Sequence, residues 1–83
     1  GINYKLEYGE DRLEIQQNSI EKDSKIIVID DLLATGGTAA AAGKLIREAG
    51  GKLIGYAFLV ELTELQGREK LDSNLFIKSL IKY

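Results

Sequence analysis

The stretch that decides the fold is residues 26–38, which read IIVIDDLLATGGT. Its first four residues, 26–29, are apolar and β-branched, which predicts a strand buried on both faces, as in a parallel sheet. Asp30 and Asp31 are expected to end that strand. Glycines and threonines follow, and apolar residues then recur at helical spacing over residues 38–49. The sequence therefore predicts a strand, a loop and a helix in immediate succession.

The residues after the helix complete a predicted α/β unit. Gly50 and Gly51 are expected to stop the helix, and residues 52–60 to form a second buried strand. A strand, helix and strand in this order predict two parallel strands joined by a right-handed crossover. Residues 66–71 are expected to form a short polar turn or helical segment, and residues 75–83 a last strand.

The opening of the chain has a different pattern. Residues 4–8 and 12–16 alternate apolar and polar side chains around turn-forming residues at 9–11, which favours a hairpin or a pair of edge strands. A polar connecting loop is expected over residues 18–25. The chain is then one domain in three parts: a flexible-loop hairpin (1–17), a strand, loop, helix and strand unit (26–60) and a closing segment (61–83).

Composition limits the chemistry and the class of partner. The 83 residues contain no cysteine and no histidine, which excludes disulfides, Cys/His zinc sites, cysteine nucleophiles and Ser-His-Asp triads within this chain. The formal charge of −2 is too balanced for a surface that coats nucleic acid. No apolar run approaches the roughly 20 residues of a membrane span. We therefore expect no nucleic acid, no membrane and a cytoplasmic location.

The sequence predicts too few helices to cover both faces of the predicted sheet. A sheet that is apolar on both faces needs helices above and below it, yet the sequence predicts one substantial helix. The chain also begins at Gly1 and contains no methionine. We therefore expect these residues to fold against a partner segment, most simply the N-terminal half of the same domain.

The glycine-rich loop predicts a phosphate site. The N–H groups and the dipole of a helix N-terminus favour an anion, and the glycines at 36–37 let the backbone approach it closely. Thr35 and Thr38 add hydroxyl donors, and Thr38 is also expected to cap the helix. Asp30 and Asp31 suit a sugar on the same ligand, because neighbouring carboxylates can accept hydrogen bonds from vicinal hydroxyls.

Two commoner phosphate motifs do not fit this loop. A nucleoside triphosphate P-loop has four residues between its glycines, then Lys and a hydroxyl residue, whereas five residues separate Gly37 from Gly43 and Lys44 precedes Leu45. A Gly-x-Gly-x-x-Gly dinucleotide motif is also absent. The structural alternative is a plain strand end with solvated carboxylates followed by a tight turn.

An acidic pair, a short spacer and Thr-Gly-Gly-Thr resemble the phosphoribosyl pyrophosphate (PRPP) signature of type I phosphoribosyltransferases. Four further motifs fall in the order found in the C-terminal half of the adenine phosphoribosyltransferases: Leu-Glu-Tyr-Gly (6–9), Val-Glu-Leu (60–62), Gly-Arg-Glu-Lys-Leu (67–71) and Ser-Leu-Ile-Lys-Tyr (79–83). The resemblance implies the α/β, Rossmann-like type I fold, a parallel sheet with flanking helices, of which this chain holds only the C-terminal half.

The resemblance also implies a reaction, the transfer of the 5-phosphoribosyl group of PRPP to adenine, giving AMP and pyrophosphate in purine salvage. Asp30 and Asp31 would bind the ribose hydroxyls and favour the oxocarbenium-like transition state. Glu7 would be the catalytic acid/base, with Tyr8 helping to close the site. The 5′-phosphate would be cradled by Ala34, Thr35, Gly36, Gly37 and Thr38.

Some details of the resemblance bear on specificity. Ala34 stands where hypoxanthine-type relatives usually carry an aspartate, which moves proton transfer to Glu7. Glu61 and Leu62 would lie near the purine, and Arg68 is given no catalytic role. Mg²⁺ would be held mainly by PRPP rather than by a protein metal site, and the family is generally homodimeric. The alternatives are a transferase for another base and a non-catalytic PRPP-binding regulator, against which Glu7 argues.

Overall fold

The computed structural model describes residues 21–83 and the backbone of three short strands before them. The elements in chain order are β1 (Ile2–Lys5), β2 (Glu7–Tyr8), β3 (Leu13–Glu14), β4 (Lys25–Leu33), α1 (Gly37–Glu48), β5 (Lys52–Glu61), two 3-10 helical turns (Thr63–Leu65 and Gly67–Lys70) and β6 (Phe76–Lys82).

The main sheet has four strands in the order β1-β4-β5-β6, and every neighbouring pair is parallel. The predicted parallel pairing of the two central strands is therefore confirmed. So are the closing strand and the short helical turn that precedes it.

The hairpin prediction is confirmed in part. β2 and β3 are antiparallel, with Glu7 opposite Glu14 and Tyr8 opposite Leu13. A single strand over residues 4–8 is wrong, because Ile2–Lys5 belongs to the main sheet, where Tyr4 pairs with Val28. Alternation predicts a strand but not its partner, since pairing with β4 depends on distant residues. The rest of the predicted hairpin and residues 18–20 lie outside the described residues.

β4 is longer than the sequence predicts. Asp30 and Asp31 do not end it, because the ladder with β5 continues through Asp30 opposite Phe58 to Leu33 opposite Glu61. Acidic residues have low strand propensity, but continued backbone pairing overrides a preference of this size. The carboxylates therefore lie within the last part of the strand.

α1 covers one face of the sheet. Ala39, Ala42 and Ile46 are buried on its inner side, against Val28 and Tyr56 of the central strands. The predicted stop is confirmed: Gly50 has φ +90°, and the Gly51 N–H donates to the Ile46 carbonyl at 2.9 Å. Within residues 21–83, no helix has the length and apolar character needed to cross a membrane.

The opposite face of the sheet is apolar and open. Ile26 and Val28 are buried beneath α1, but Ile29, which points to the other side by strand alternation, is 44% exposed. Leu59 and Phe76 are similarly exposed. Within the described residues, β4 is therefore covered on one face only, as expected from a single predicted helix.

Candidate phosphate and sugar site

The phosphate loop joins β4 to α1 through a left-handed residue. Gly36 has φ +89° and is the N-cap of the helix, and its carbonyl accepts the Ala40 N–H at 2.9 Å. The helix begins at Gly37 without a side-chain cap, so Thr38 lies in its first turn. The predicted capping by Thr38 is therefore wrong, because the left-handed Gly36 already turns the chain into the helix.

Gly36 is also required by close packing. A Cβ atom there would lie 2.2 Å from the carbonyl oxygen of Gly67, so any side chain would collide with the backbone of the second 3-10 turn. The loop therefore rests directly on that turn.

The loop and the end of β4 enclose a cleft of about 220 Å³. Asp30, Thr35 and Thr38 reach it, whereas Asp31 and Gly37 do not line it. The full lining consists of Asp30, Leu32, Leu33, Ala34, Thr35, Gly36, Thr38 and Ala39. Of the nine residues predicted to bind PRPP or lie near the base, the structure thus brings five together, with the Asp30 carboxylate beside the loop.

Charge and dipole at the cleft suit a phosphorylated sugar. The first turn of α1 carries no acidic residue, so its unpaired N–H groups and positive dipole are available to an anion. Asp30 supplies a carboxylate at the same opening, and its Oδ1 accepts the Asp31 N–H at 2.8 Å. A phosphate at the helix end and hydroxyl groups near Asp30 would satisfy both features with one ligand.

Glu61, which is predicted to lie near the purine, is buried at the end of β5. It is the one buried charged residue among those described, 4% exposed, and Arg68 Nε donates to its Oε2 at 2.8 Å and its Oε1 at 3.0 Å. Ser79 Oγ donates to Oε1 at 2.8 Å. Hydrogen bonding from Arg68 holds the pKa of Glu61 below its usual range, although burial opposes this shift. The carboxylate is thus committed to a protein network.

Leu62 joins the ends of the two central strands. Its N–H donates to the Leu33 carbonyl at 3.0 Å, and its side chain is half-buried. Leu33 lines the cleft, so Leu62 is hydrogen-bonded to a lining residue and follows the buried Glu61.

Glu7 and Tyr8 are described through their backbone alone, as β2. Its hairpin partner β3 has Cα atoms within 8 Å of Cα atoms of α1. The predicted roles of Glu7 in catalysis and of Tyr8 in closing the site stay predictions. Among residues 21–83, no group of three or more carboxylates is arranged to hold a metal ion.

Arg68 is the residue that sequence reasoning missed. Arg68 lies seven residues after Glu61, but Glu61 ends a strand and Arg68 lies in a 3-10 turn, so no periodic pattern within one element relates the two residues. The only signal in the sequence was that a basic residue follows a buried strand that carries a single acidic residue. That signal does not show that Arg68 pairs with Glu61.

Comparisons with known proteins show the family of this chain. The family profile described as Phosphoribosyl transferase domain matches residues 5–81. The adenine phosphoribosyltransferase of Prochlorococcus marinus (strain NATL1A) is 82% identical over 83 residues, which cover all of this chain and 48% of that relative. The chain thus spans about half the length of the curated relatives it matches.

Solved structures are similar in fold. Adenine phosphoribosyltransferase from Rhodothermus marinus DSM 4252 matches with a TM-score of 0.83 and 42% identity, over 96% of this chain and 46% of that chain. The Trypanosoma brucei enzyme, solved in complex with AMP, pyrophosphate and ribose-5-phosphate, matches with a TM-score of 0.77 and 29% identity, over 95% and 39%. The predicted resemblance and the α/β fold are confirmed: the chain belongs to the phosphoribosyl transferase domain family.

Proposed function

We propose that this chain supplies the PRPP-binding part of an adenine phosphoribosyltransferase, a pentosyltransferase that converts adenine and PRPP to AMP and pyrophosphate. The observation that carries the proposal is the shared cleft of Asp30 and the phosphate loop at the N-terminus of α1. The adenine phosphoribosyltransferases similar to this chain support the choice of base. The setting is purine salvage in the cytoplasm, and the enzyme is a homodimer.

Different residues of the site take different roles in the proposed reaction. Residues 34–38 bind the 5′-phosphate through backbone N–H and threonine hydroxyl groups. Asp30 and Asp31 accept hydrogen bonds from the ribose hydroxyls and offset positive charge at the sugar as pyrophosphate leaves. Glu7 acts as the acid/base that transfers a proton to or from the purine, and Tyr8 helps to exclude water. Leu62, which is hydrogen-bonded to Leu33 of the cleft, lies near the purine.

A magnesium ion fits this donor set as a companion of the substrate. Mg²⁺ in phosphate-transfer sites is typically held by substrate oxygens and one or two carboxylates, and Asp30 supplies a carboxylate at the cleft. Bound in this way, Mg²⁺ would neutralise the departing pyrophosphate.

The uncovered sheet face supports a second half of the domain. Ile29, Leu59 and Phe76 form an exposed apolar surface opposite α1, and the relatives contain about as much chain again. We propose that an N-terminal half covers this face and adds the remaining contacts to adenine and pyrophosphate.

A hybrid protein tests the proposal. In the hybrid, residues 1–83 replace the matching stretch of the Prochlorococcus marinus (strain NATL1A) relative. We expect it to form AMP from adenine and PRPP within about tenfold of the unaltered relative, a difference of about 1.4 kcal/mol. The 83-residue chain alone should form none.

A panel of bases makes the test specific. Adenine should give a higher kcat/KM than hypoxanthine, guanine, xanthine or orotate. An inactive hybrid beside an active relative, or a preference for another base, would overturn the proposal. Binding of PRPP without turnover would favour the regulatory alternative.

A further inference from the structure

The second 3-10 turn, Gly67–Lys70, is joined to the sheet by a partly buried ion pair. Glu61, at the end of β5, accepts hydrogen bonds from Arg68 in this turn and from Ser79 in β6. The side chain of Glu61 is 5% exposed and that of Arg68 37%. Three elements thus meet at one carboxylate, whose pairing fixes the position of the turn.

The backbone of Gly67, the first residue of this turn, lies close against the backbone of the phosphate loop. A Cβ atom on Gly67 would lie 2.4 Å from the Ala34 carbonyl oxygen and 3.1 Å from the Gly36 nitrogen. Gly67 immediately precedes Arg68, so movement of the Arg68 backbone is transmitted to this contact. The loop residues that line the cleft therefore rest on a support whose position depends on the ion pair.

A second ion pair offers an internal comparison. Arg47 of α1 donates to Asp72 at 2.9 Å, with half of the Arg47 side chain exposed. It borders a different cleft of about 360 Å³, beside Tyr56. This pair has the same chemistry but does not adjoin the phosphate loop.

From these contacts we propose that Glu61 and Arg68 are positioning residues for phosphate recognition. Their ion pair, supported by Ser79, holds Gly67 beneath Ala34–Gly36 and so sets the orientation of the loop N–H groups. This inference rests on the proposed function, and it gives Glu61 a task in binding the phosphoribosyl group rather than the base.

The test compares substrate affinities in the hybrid. Glu61→Gln and Arg68→Gln should each raise KM for PRPP about tenfold, the effect of about 1.4 kcal/mol, while KM for adenine changes less than about twofold. Arg68→Lys, which keeps the charge, should recover part of the PRPP affinity. Gly67→Ala should raise KM for PRPP with the ion pair intact, because its Cβ displaces the loop.

Two comparisons keep the outcome decisive. Asp72→Asn removes the ion pair with Arg47 and should leave both KM values unchanged. Ser79→Ala, which removes one hydrogen bond, serves if the charge substitutions do not fold, and should raise KM for PRPP by about threefold. A purely structural role would lower the thermal midpoint and shift both KM values together, and that result would overturn the inference.

Direct binding separates this inference from the proposed function. Calorimetric titration of the hybrid with ribose 5-phosphate measures phosphate recognition without turnover. Weaker binding by Glu61→Gln than by Asp72→Asn supports the positioning role even in a hybrid that does not use adenine. Equal binding by these two variants and the parent hybrid would overturn it.

Discussion

Glu61 and Asp30 are carboxylates close to the same loop, but their surroundings give them different tasks. Glu61 is buried and accepts hydrogen bonds from Arg68 and Ser79. Asp30 lies on the cleft, where a ligand hydroxyl can reach it. A carboxylate with several protein donors has little remaining capacity for a ligand. Asp30 lines the cleft and Glu61 does not, so Asp30 is the better candidate for direct sugar contact.

Substitutions in the hybrid should separate sugar binding from proton transfer. Asp30→Asn with Asp31→Asn should weaken PRPP binding by about tenfold or more, because a hydrogen bond to a charged group contributes about 1.5–3 kcal/mol. Glu7→Gln should leave PRPP affinity nearly intact and lower kcat by about 10²-fold, the usual effect of losing a general acid or base. Titration with PRPP and steady-state kinetics measure the two quantities.

The same variants can contradict these assignments. Unchanged kcat in Glu7→Gln would remove Glu7 from the mechanism. Unchanged PRPP affinity in the double aspartate variant would mean that Asp30 and Asp31 do not bind the ribose and are only solvated carboxylates at the end of a strand. Lys44→Gln, on the exposed side of α1, is the matched control and should change neither quantity.

The type and order of the strands and the helix could be predicted from the sequence, but their first and last residues could be predicted less well. The apolar run at residues 26–29 and the glycines after α1 are local signals, and they predicted β4 and the helix stop. The end of β4 was missed because pairing with β5 carries the strand through Asp30 to Leu33. The start of α1 was missed because a left-handed Gly36, rather than the Thr38 hydroxyl, begins the helix.

The stabilisation provided by the ion pair of Glu61 and Arg68, which joins β5 to the second 3-10 turn, should depend on pH. Hydrogen bonding from Arg68 lowers the pKa of Glu61 in the folded state, so the folded state binds fewer protons than the unfolded state. The stabilisation is complete above the unfolded value, about 4.3 for glutamate, and is lost as pH falls through the folded value. Chemical denaturation of the hybrid and its Glu61→Gln variant should therefore show a difference in unfolding free energy that shrinks between about pH 5 and pH 3.

Salt distinguishes this junction from the Arg47 and Asp72 pair. The pKa of Asp72 is also lowered, first by the Asn74 N–H and then by Arg47, so Asp72→Asn should show the same direction of pH dependence. At about 1 M salt, screening should reduce the effect of the exposed pair more than that of Glu61. A difference between the hybrid and Glu61→Gln that stays constant from pH 7 to pH 3 would contradict the assigned ion pair.

For the molecule as a whole, the number of helices available to cover the sheet is as informative as any motif. One predicted helix against an apolar sheet implied an uncovered face, and Ile29 and Leu59 are indeed exposed opposite α1. The place of β1 in the main sheet was not predictable, because its alternating residues suit either a hairpin or a sheet edge. Nor was the contact of Gly67 with the loop, which depends on the path of the chain between β5 and β6.

The proposed cover of the open face can be tested with two leucines of nearly equal exposure. Leu59, on the open face, is 50% exposed and Leu65, in the first 3-10 turn, is 48% exposed. If the other half of the hybrid buries the open face, Leu59→Lys removes an apolar contact worth about 2 kcal/mol and should lower the thermal midpoint by several degrees. Leu65→Lys should change it by about 1 °C or less, as expected for a surface site. Equal shifts for the two variants, measured by calorimetry of the hybrid, would mean that the open face is not where the second half packs.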